Sequence, residues 1–451
     1  MPKHIKSGRN YVLIIFCLLF YACAGLRFLP LILATITLDY VVGRRLAECG
    51  TASRKPILGI GIFIHLALLG WFKYAGFASG SLNSIGLPIP VLEVVLPVGI
   101  SFYSFQGMSY LIDVYRGDTP AEKKLSSLLL YIMLFPQLIA GPIVRYVDIA
   151  YAVENRVESI SDICNGTTRF VVGLSKKVLL SNILAQISDA AFLHTPDTLS
   201  VAFAWLGVLA YTGHIYFDFS GYSDMAIGLG KIFGFSFLEN FNYPYIAKSL
   251  TEFWRRWHIS LSTWFRDYLY IPLGGSRKGS MRSAVNLFFV WAATGLWHGA
   301  EWTFLIWGLH YAFLIIGEKY IWNVALEKIP AVIRRVYTLL FVILGWVWFR
   351  AGSIQTAIQY FMVLFGHAGT PLLEKELFFW LKQCWPELLI APIACTPAIS
   401  TIKKSIRQYY DTPQSLFVSI CISRVATILL SILSVSSLLY SGFNPFIYFR
   451  F

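Results

Sequence analysis

Charge is scarce in this sequence. Asp, Glu, Lys and Arg make up 14% of the 451 residues, where an ordinary soluble chain carries about 25%. So little polar surface cannot coat a globule of this size, which excludes a water-soluble fold. Alternating ten-residue strands are also missing, which excludes a β-barrel. The seven cysteines (17, 23, 49, 164, 384, 395 and 421) include no C-x-x-C pair. Their number is odd and several lie in apolar runs, where a thiol behaves as a small hydrophobe. They give no basis for a disulfide, a metal site or a nucleophile. There is no P-loop, because in "IPLGGSRKG" Lys278 is followed by glycine and the first glycine is misplaced. G-x-S-x-G, H-E-x-x-H and the arginine ladder of a voltage sensor are missing too. No soluble domain gathers the basic residues, so nucleic acid is not expected as a partner. No internal repeat or low-complexity tract is present.

What the sequence has in abundance is apolar runs, with 57% hydrophobic residues. Many runs approach the roughly 20 residues that a spanning helix needs. They predict an all-α polytopic membrane protein with about 10–12 spans. The segments fall near 11–26, 28–43, 56–72, 91–113, 126–143, 167–190, 200–217, 222–234, 284–299, 302–322, 334–351 and 418–440. Weaker ones lie near 354–366 and 377–394. The basic start and first apolar run resemble a signal peptide. No small-residue cleavage site closes the run, so it reads as a retained spanning helix. The net charge of +13 reads first as topology. Lys3, Lys6 and Arg9 precede the first span, Arg44, Arg45, Arg54 and Lys55 follow the second, and Arg116, Lys123 and Lys124 follow the fourth. Every second loop is basic, which places the N-terminus in the cytoplasm. Two polar stretches, 145–163 and 400–411, predict helices lying on the membrane surface. The triplet Asn165-Gly166-Thr167 reads as a chance glycosylation signal.

Ionisable groups at membrane depth are costly and mark functional sites. Here they are Asp218 and Asp224 in "YFDFSGYSDMAIG", His298 in "TGLWHGAEW", and the group around His258 in "FWRRWHISLSTWFRDYLYIPLGG" (253–275). That last stretch is too charged to span in one pass and reads as a re-entrant, cavity-lining or interfacial segment. His298 closes an uncharged run of spanning length. Apolar surroundings favour the uncharged imidazole, the form a general base requires. The competing reading is a hydrogen-bonded histidine packed in a bundle, and His65, His214 and His310 take that reading. Arg255, Arg256 and Arg266 have the planar guanidinium suited to phosphate. Alternatively they snorkel to headgroups or pair with Asp267 and Glu252.

Six blocks in order resemble the membrane-bound O-acyltransferase (MBOAT) family, in its alginate O-acetyltransferase branch. They are "LPVGISFYSFQGMSYLIDVYRG" (96–117), "LFPQLIAGPIVRY" (134–146), "YFDFSGYSDMAIGLG" (216–230), "ENFNYPY" (239–245), the 253–275 stretch and "TGLWHGAEWTFLIWGLHYA" (294–312). The closing "NPFIYFRF" (444–451) is similar to some bacterial members. The resemblance implies one integral-membrane domain over 1–451, with core motifs in 96–312, peripheral helices in 334–451 and a central tunnel. It implies His298 as the essential histidine and His258 as the second, orienting the acceptor, stabilising the oxyanion or relaying the proton. Trp257, Trp297, Asn240, Tyr243, Asp224, Arg255, Arg256, Arg266 and Asp267 are the expected tunnel or substrate-binding residues. No metal or permanent cofactor is implied. The donor would be acetyl-CoA or another acyl thioester from the cytoplasm. The acceptor would be an exported polysaccharide, reached through an extracytoplasmic esterase-like partner, at a bacterial plasma membrane whose lipid surrounds the protein. Members of that branch usually begin with one more hydrophobic helix before the segment that starts here at Tyr11, so the chain is expected either to lack it or to have a misplaced start. D-alanyl transfer to a cell-wall polymer is the alternative within the family, and a proton-coupled transporter the alternative outside it.

Overall fold

The computed structural model describes residues 3–139, 141–409 and 413–440; the 444–451 block and the end of the 400–411 stretch lie outside them. Among the described residues the regular structure is helical throughout. Six helical stretches there are long and apolar enough to cross a membrane: Gly8–Glu48, Thr51–Ser84, Ile160–Leu193, Trp302–Lys328, Ala331–Arg350 and Phe417–Tyr440. The first two sequence-derived spans meet at a tight turn, Leu26–Phe28. The segments near 200–217 and 222–234 form one helix, Val201–Ile232. No proline interrupts the polar run between them, and its two aspartates face cations. The segment near 126–143 is instead broken, into Leu125–Met133 and Phe135–Leu138. Proline at 136 suits a helix start rather than a helix interior. The polar 145–163 stretch forms the short helix Tyr146–Asn155 and then begins Ile160–Ser175.

The chain divides into two compact units. The first comprises Met1–Thr167, Ala226–Glu239 and Arg266–Tyr268. Its core gathers Cys17, Tyr21, Ile36, Tyr110, Leu128 and Tyr131. Small residues let its helices approach closely, as in many membrane bundles. A methyl group at Gly61 would sit 2.7 Å from Leu111, and one at Gly43 2.7 Å from the Tyr110 hydroxyl. His65 and Asp39, both buried, pair across 2.8 Å, and Gly107 leaves them room.

The second unit comprises Thr168–Met225, Asn240–Phe265 and Leu269–Phe451. Its core is aromatic. Trp254 packs edge-on to Trp291 and Tyr311, each at 4.8 Å between ring centroids, and Trp257 lies 5.0 Å from Trp346. Such pairs add about 0.5–1.5 kcal/mol each beyond the area they bury.

In the second unit the carboxylates of the Val201–Ile232 helix meet cations from the neighbouring helix. Asp224 pairs with Arg169 at 2.5 Å and with Lys176 at 2.7 Å. Asp218 pairs with Lys177, and both are buried. Two features bring these partners into register. The turn Lys176–Ser181 is widened to i→i+5 bonding, a distortion that re-aims side chains and recurs at functional positions. Gly173 and Gly221 let the backbones touch, since a methyl group on Gly173 would lie 2.5 Å from the Gly221 carbonyl oxygen.

Candidate active site

The segment that carries His258 is fixed at its start. Ser249 caps the helix Leu250–Arg256 by accepting the Glu252 amide at 3.0 Å. The buried Glu318 carboxylate accepts the amides of Leu250 (2.7 Å) and Thr251 (3.0 Å). These bonds satisfy donors that a helix start otherwise leaves unpaired. The helix ends at Arg256, Trp257 is extended, and a second short helix runs Ile259–Phe265. Between them His258 sits at φ +44°, in the left-handed region. For a residue other than glycine this costs about 1–3 kcal/mol and persists only where the surroundings enforce it. The residue is 2% exposed, and its ring lies among Phe219 (5.8 Å), Phe241 (6.3 Å) and Trp297 (6.3 Å).

His298 is the last residue of the helix Ser280–His298; Gly299 then turns extended and the return helix runs Trp302–Gly317. The two helices are in near-backbone contact. A methyl group on Gly308 would collide with the Trp291 carbonyl oxygen and lie 3.1 Å from the Gly295 Cα. This approach sets Trp307 against the His298 ring at 4.9 Å, with Trp297 at 5.0 Å and Phe349 at 5.3 Å. Valine at Gly308 is expected to overpack this contact and destabilise the protein by about 1–3 kcal/mol. A thermal unfolding midpoint in detergent equal to that of the unsubstituted protein would contradict this packing.

The fold therefore brings His258 and His298 each into ring contact with Trp297. Asn240 is buried behind His258, where its side chain meets Ser260 and Ser223. Tyr243, half-buried, starts the turn Pro244–Ile246 at φ +45°. Trp257 faces the core, stacked on Phe253 and tilted against Trp346. Arg255 is exposed, with no acidic partner among the described residues. Arg256 pairs with Glu252 at 2.9 Å and donates to the Asn242 carbonyl. Arg266 and Asp267 belong to the first unit. There Asp267 accepts from Arg266 (2.7 Å) and Arg145 (3.3 Å). Hydrogen bonding to Asp267 holds the Arg266 guanidinium above its usual range, and Asp148 does the same for Arg145. Asp224 is occupied by Arg169 and Lys176. His214 bonds Ser181 at 2.9 Å and His310 the Phe341 carbonyl at 3.1 Å. Away from these residues in sequence, His194 lies 3.4 Å from Glu376 and 3.8 Å from Glu374.

Sequence reasoning passed over Trp307, Phe349 and Phe219, which wall the histidines, and the cations Arg169, Lys176 and Lys177. The cations carried a signal. They stand in "RFVVGLSKKVLLS", within a segment already read as spanning, where a positive charge needs a partner.

Two buried histidines in contact with one indole, inside a helical membrane fold, make up the candidate site. The chain belongs to the MBOAT, membrane-bound O-acyltransferase family, whose model matches residues 123–366, more than half of its length. It is accordingly an O-acyltransferase and a multi-pass membrane protein, as the motif blocks implied. It is 40% identical over 480 residues to the probable alginate O-acetylase AlgI of Azotobacter vinelandii, covering 98% of this chain and 95% of that one. It is 35% identical over 407 residues to the peptidoglycan O-acetyltransferase of Helicobacter pylori, covering 82% and 77%. With the teichoic acid D-alanyltransferase of Bacillus subtilis the identity is 28% over 257 residues, covering 54% and 64%.

Proposed function

We propose that the protein moves an acetyl group from a cytoplasmic thioester, acetyl-CoA in the simplest case, towards hydroxyls of an exported cell-envelope polysaccharide. The membrane is the bacterial inner membrane, and the acetyl group passes on through an extracytoplasmic esterase-like partner. The observation that carries this reading is the pairing of His258 and His298 around Trp297.

In the proposed step His298 takes the proton of the attacking hydroxyl as its oxygen adds to the thioester carbonyl. The C–O bond forms and the C–S bond breaks. The imidazolium returns its proton to the departing sulfur, giving ester and free thiol. His298 ends its helix, and the carbonyl end of a helix favours the positive charge that proton uptake creates. His258 orients the acceptor, supports the oxyanion or relays the proton. The exposed Arg255 suits the phosphates of a polyanionic donor, whereas Arg256 and Arg266 are already matched by carboxylates.

The long coverage shared with the alginate O-acetylase favours acetyl over D-alanyl transfer. Cells with and without the protein, fed labelled acetate or labelled D-alanine, separate the two. Alkali-labile acetate on envelope polymers should rise several-fold with the protein present. Label arriving from D-alanine alone would replace the acetyl reading.

A further inference from the structure

We infer that Asn240 is the positioning residue that holds His258 in its left-handed conformation, an inference that rests on the proposed catalytic role of His258. A buried histidine at positive φ needs its flanking backbone held from outside. The chain around 240–242 runs alongside 256–260 and does this. The Asn242 amide donates to the Arg256 carbonyl at 2.9 Å, and the Ile259 amide to the Asn240 carbonyl at 2.9 Å. These two bonds bracket His258.

The Asn240 side chain adds what backbone cannot. Its Oδ1 accepts the Ser260 amide at 3.0 Å and the Ser260 hydroxyl at 2.9 Å. Its Nδ2 donates to the Ser223 hydroxyl at 3.2 Å. All three residues are buried, Asn240 at 1% exposure. Ser223 lies on the Val201–Ile232 helix, the helix that also presents Phe219 to the His258 ring. One amide thus ties the residue two positions after His258 to the wall against which the imidazole rests. The arrangement calls for an acceptor towards Ser260 and a donor towards Ser223 on one short side chain, which asparagine supplies.

A residue acting through His258 and a residue that merely supports the fold give different kinetics. The readout is the initial rate at which labelled acetate enters alkali-labile esters of the envelope polymers. Cells carry the full-length protein or its variants, compared at equal amounts of monodisperse protein extracted from the membrane. His258→Ala should lower the rate about 10²-fold or more. Asn240→Ala should lower it about 10²-fold, as misplacing a reacting group by about 1 Å does. In the His258→Ala background, Asn240→Ala should have no further effect, because the group it positions is gone.

A wild-type rate in His258→Ala would overturn the catalytic reading of that histidine and the inference with it. An inactive His258→Ala beside a fully active Asn240→Ala would leave the catalytic reading standing and overturn the inference alone. So would equal losses from Asn240→Ala with and without His258, which mark a supporting role.

Discussion

Replacing His298 with alanine is expected to lower acetyl transfer by about 10²–10⁴-fold, the range that a general acid–base group contributes, while the protein still reaches the membrane. The ring contributes to packing as well as chemistry, because it meets Trp297, Trp307 and Phe349 edge-on. Alanine therefore removes a base and also opens a gap in the aromatic wall. Glutamine separates the two effects. It fills more of the space and can hydrogen-bond, but its amide takes up no proton at working pH. His298→Gln should be about as inactive as His298→Ala and closer to the parent in thermal stability. Alkali-released acetate per unit of membrane-inserted protein reads the first effect, and unfolding in detergent reads the second. Normal acetate release from either variant would remove His298 from the chemistry.

The largest stability effect is expected at Lys177. Its ammonium faces the Asp218 carboxylate, and both side chains are withdrawn from solvent. Removing one member of a buried pair is destabilising by about 3–5 kcal/mol, because the other charge keeps its desolvation cost and loses its counter-charge. Lys177→Ala should therefore sharply reduce the yield of folded protein and its unfolding temperature. The double variant Lys177→Met/Asp218→Leu should restore most of the loss, since apolar residues of similar volume often replace a buried pair at little cost. Equal unfolding temperatures for the parent and Lys177→Ala would show that the pair is not what joins these helices. A double variant no better than the single one would show that the network through Ser181 and His214 matters more than the charges.

His298 stood out in the sequence because it closes an uncharged run of spanning length, whereas His258 stood out inside a charged stretch and took its role from the family resemblance. A titratable ring closing an uncharged run is costly, which is what set His298 apart. Arg255, Arg256 and Arg266 stood out equally, yet they part company in the structure. Arg256 and Arg266 pair with Glu252 and Asp267 close by in the chain, while Arg255 remains exposed. Pairing with Glu252 and Asp267 was one of the readings the sequence left open for these arginines, and only the structure separates the two that pair from Arg255. For Asp224 the partners come from another helix, and the glycine contact and widened turn that align them are features of backbone geometry. Asn240 was expected to line the tunnel or bind substrate; that its side chain instead grips Ser260, beyond His258, and Ser223 depends on two segments lying side by side.

The sequence by itself determined the solvent and the chemistry. Too few charges for water and apolar runs of bilayer length require a helical membrane protein, and six ordered blocks with two histidines identify an acyltransferase family. Only the tertiary structure decided which groups meet. It set His258 and His298 about one indole, put Lys177 opposite Asp218, and assigned Arg266 and Asp267 to a different unit from the histidines. Composition and periodicity are summed along the chain and survive without its fold. Contacts between residues far apart in sequence depend on where helices bend, break and touch, and those are set by packing at particular glycines, caps and turns.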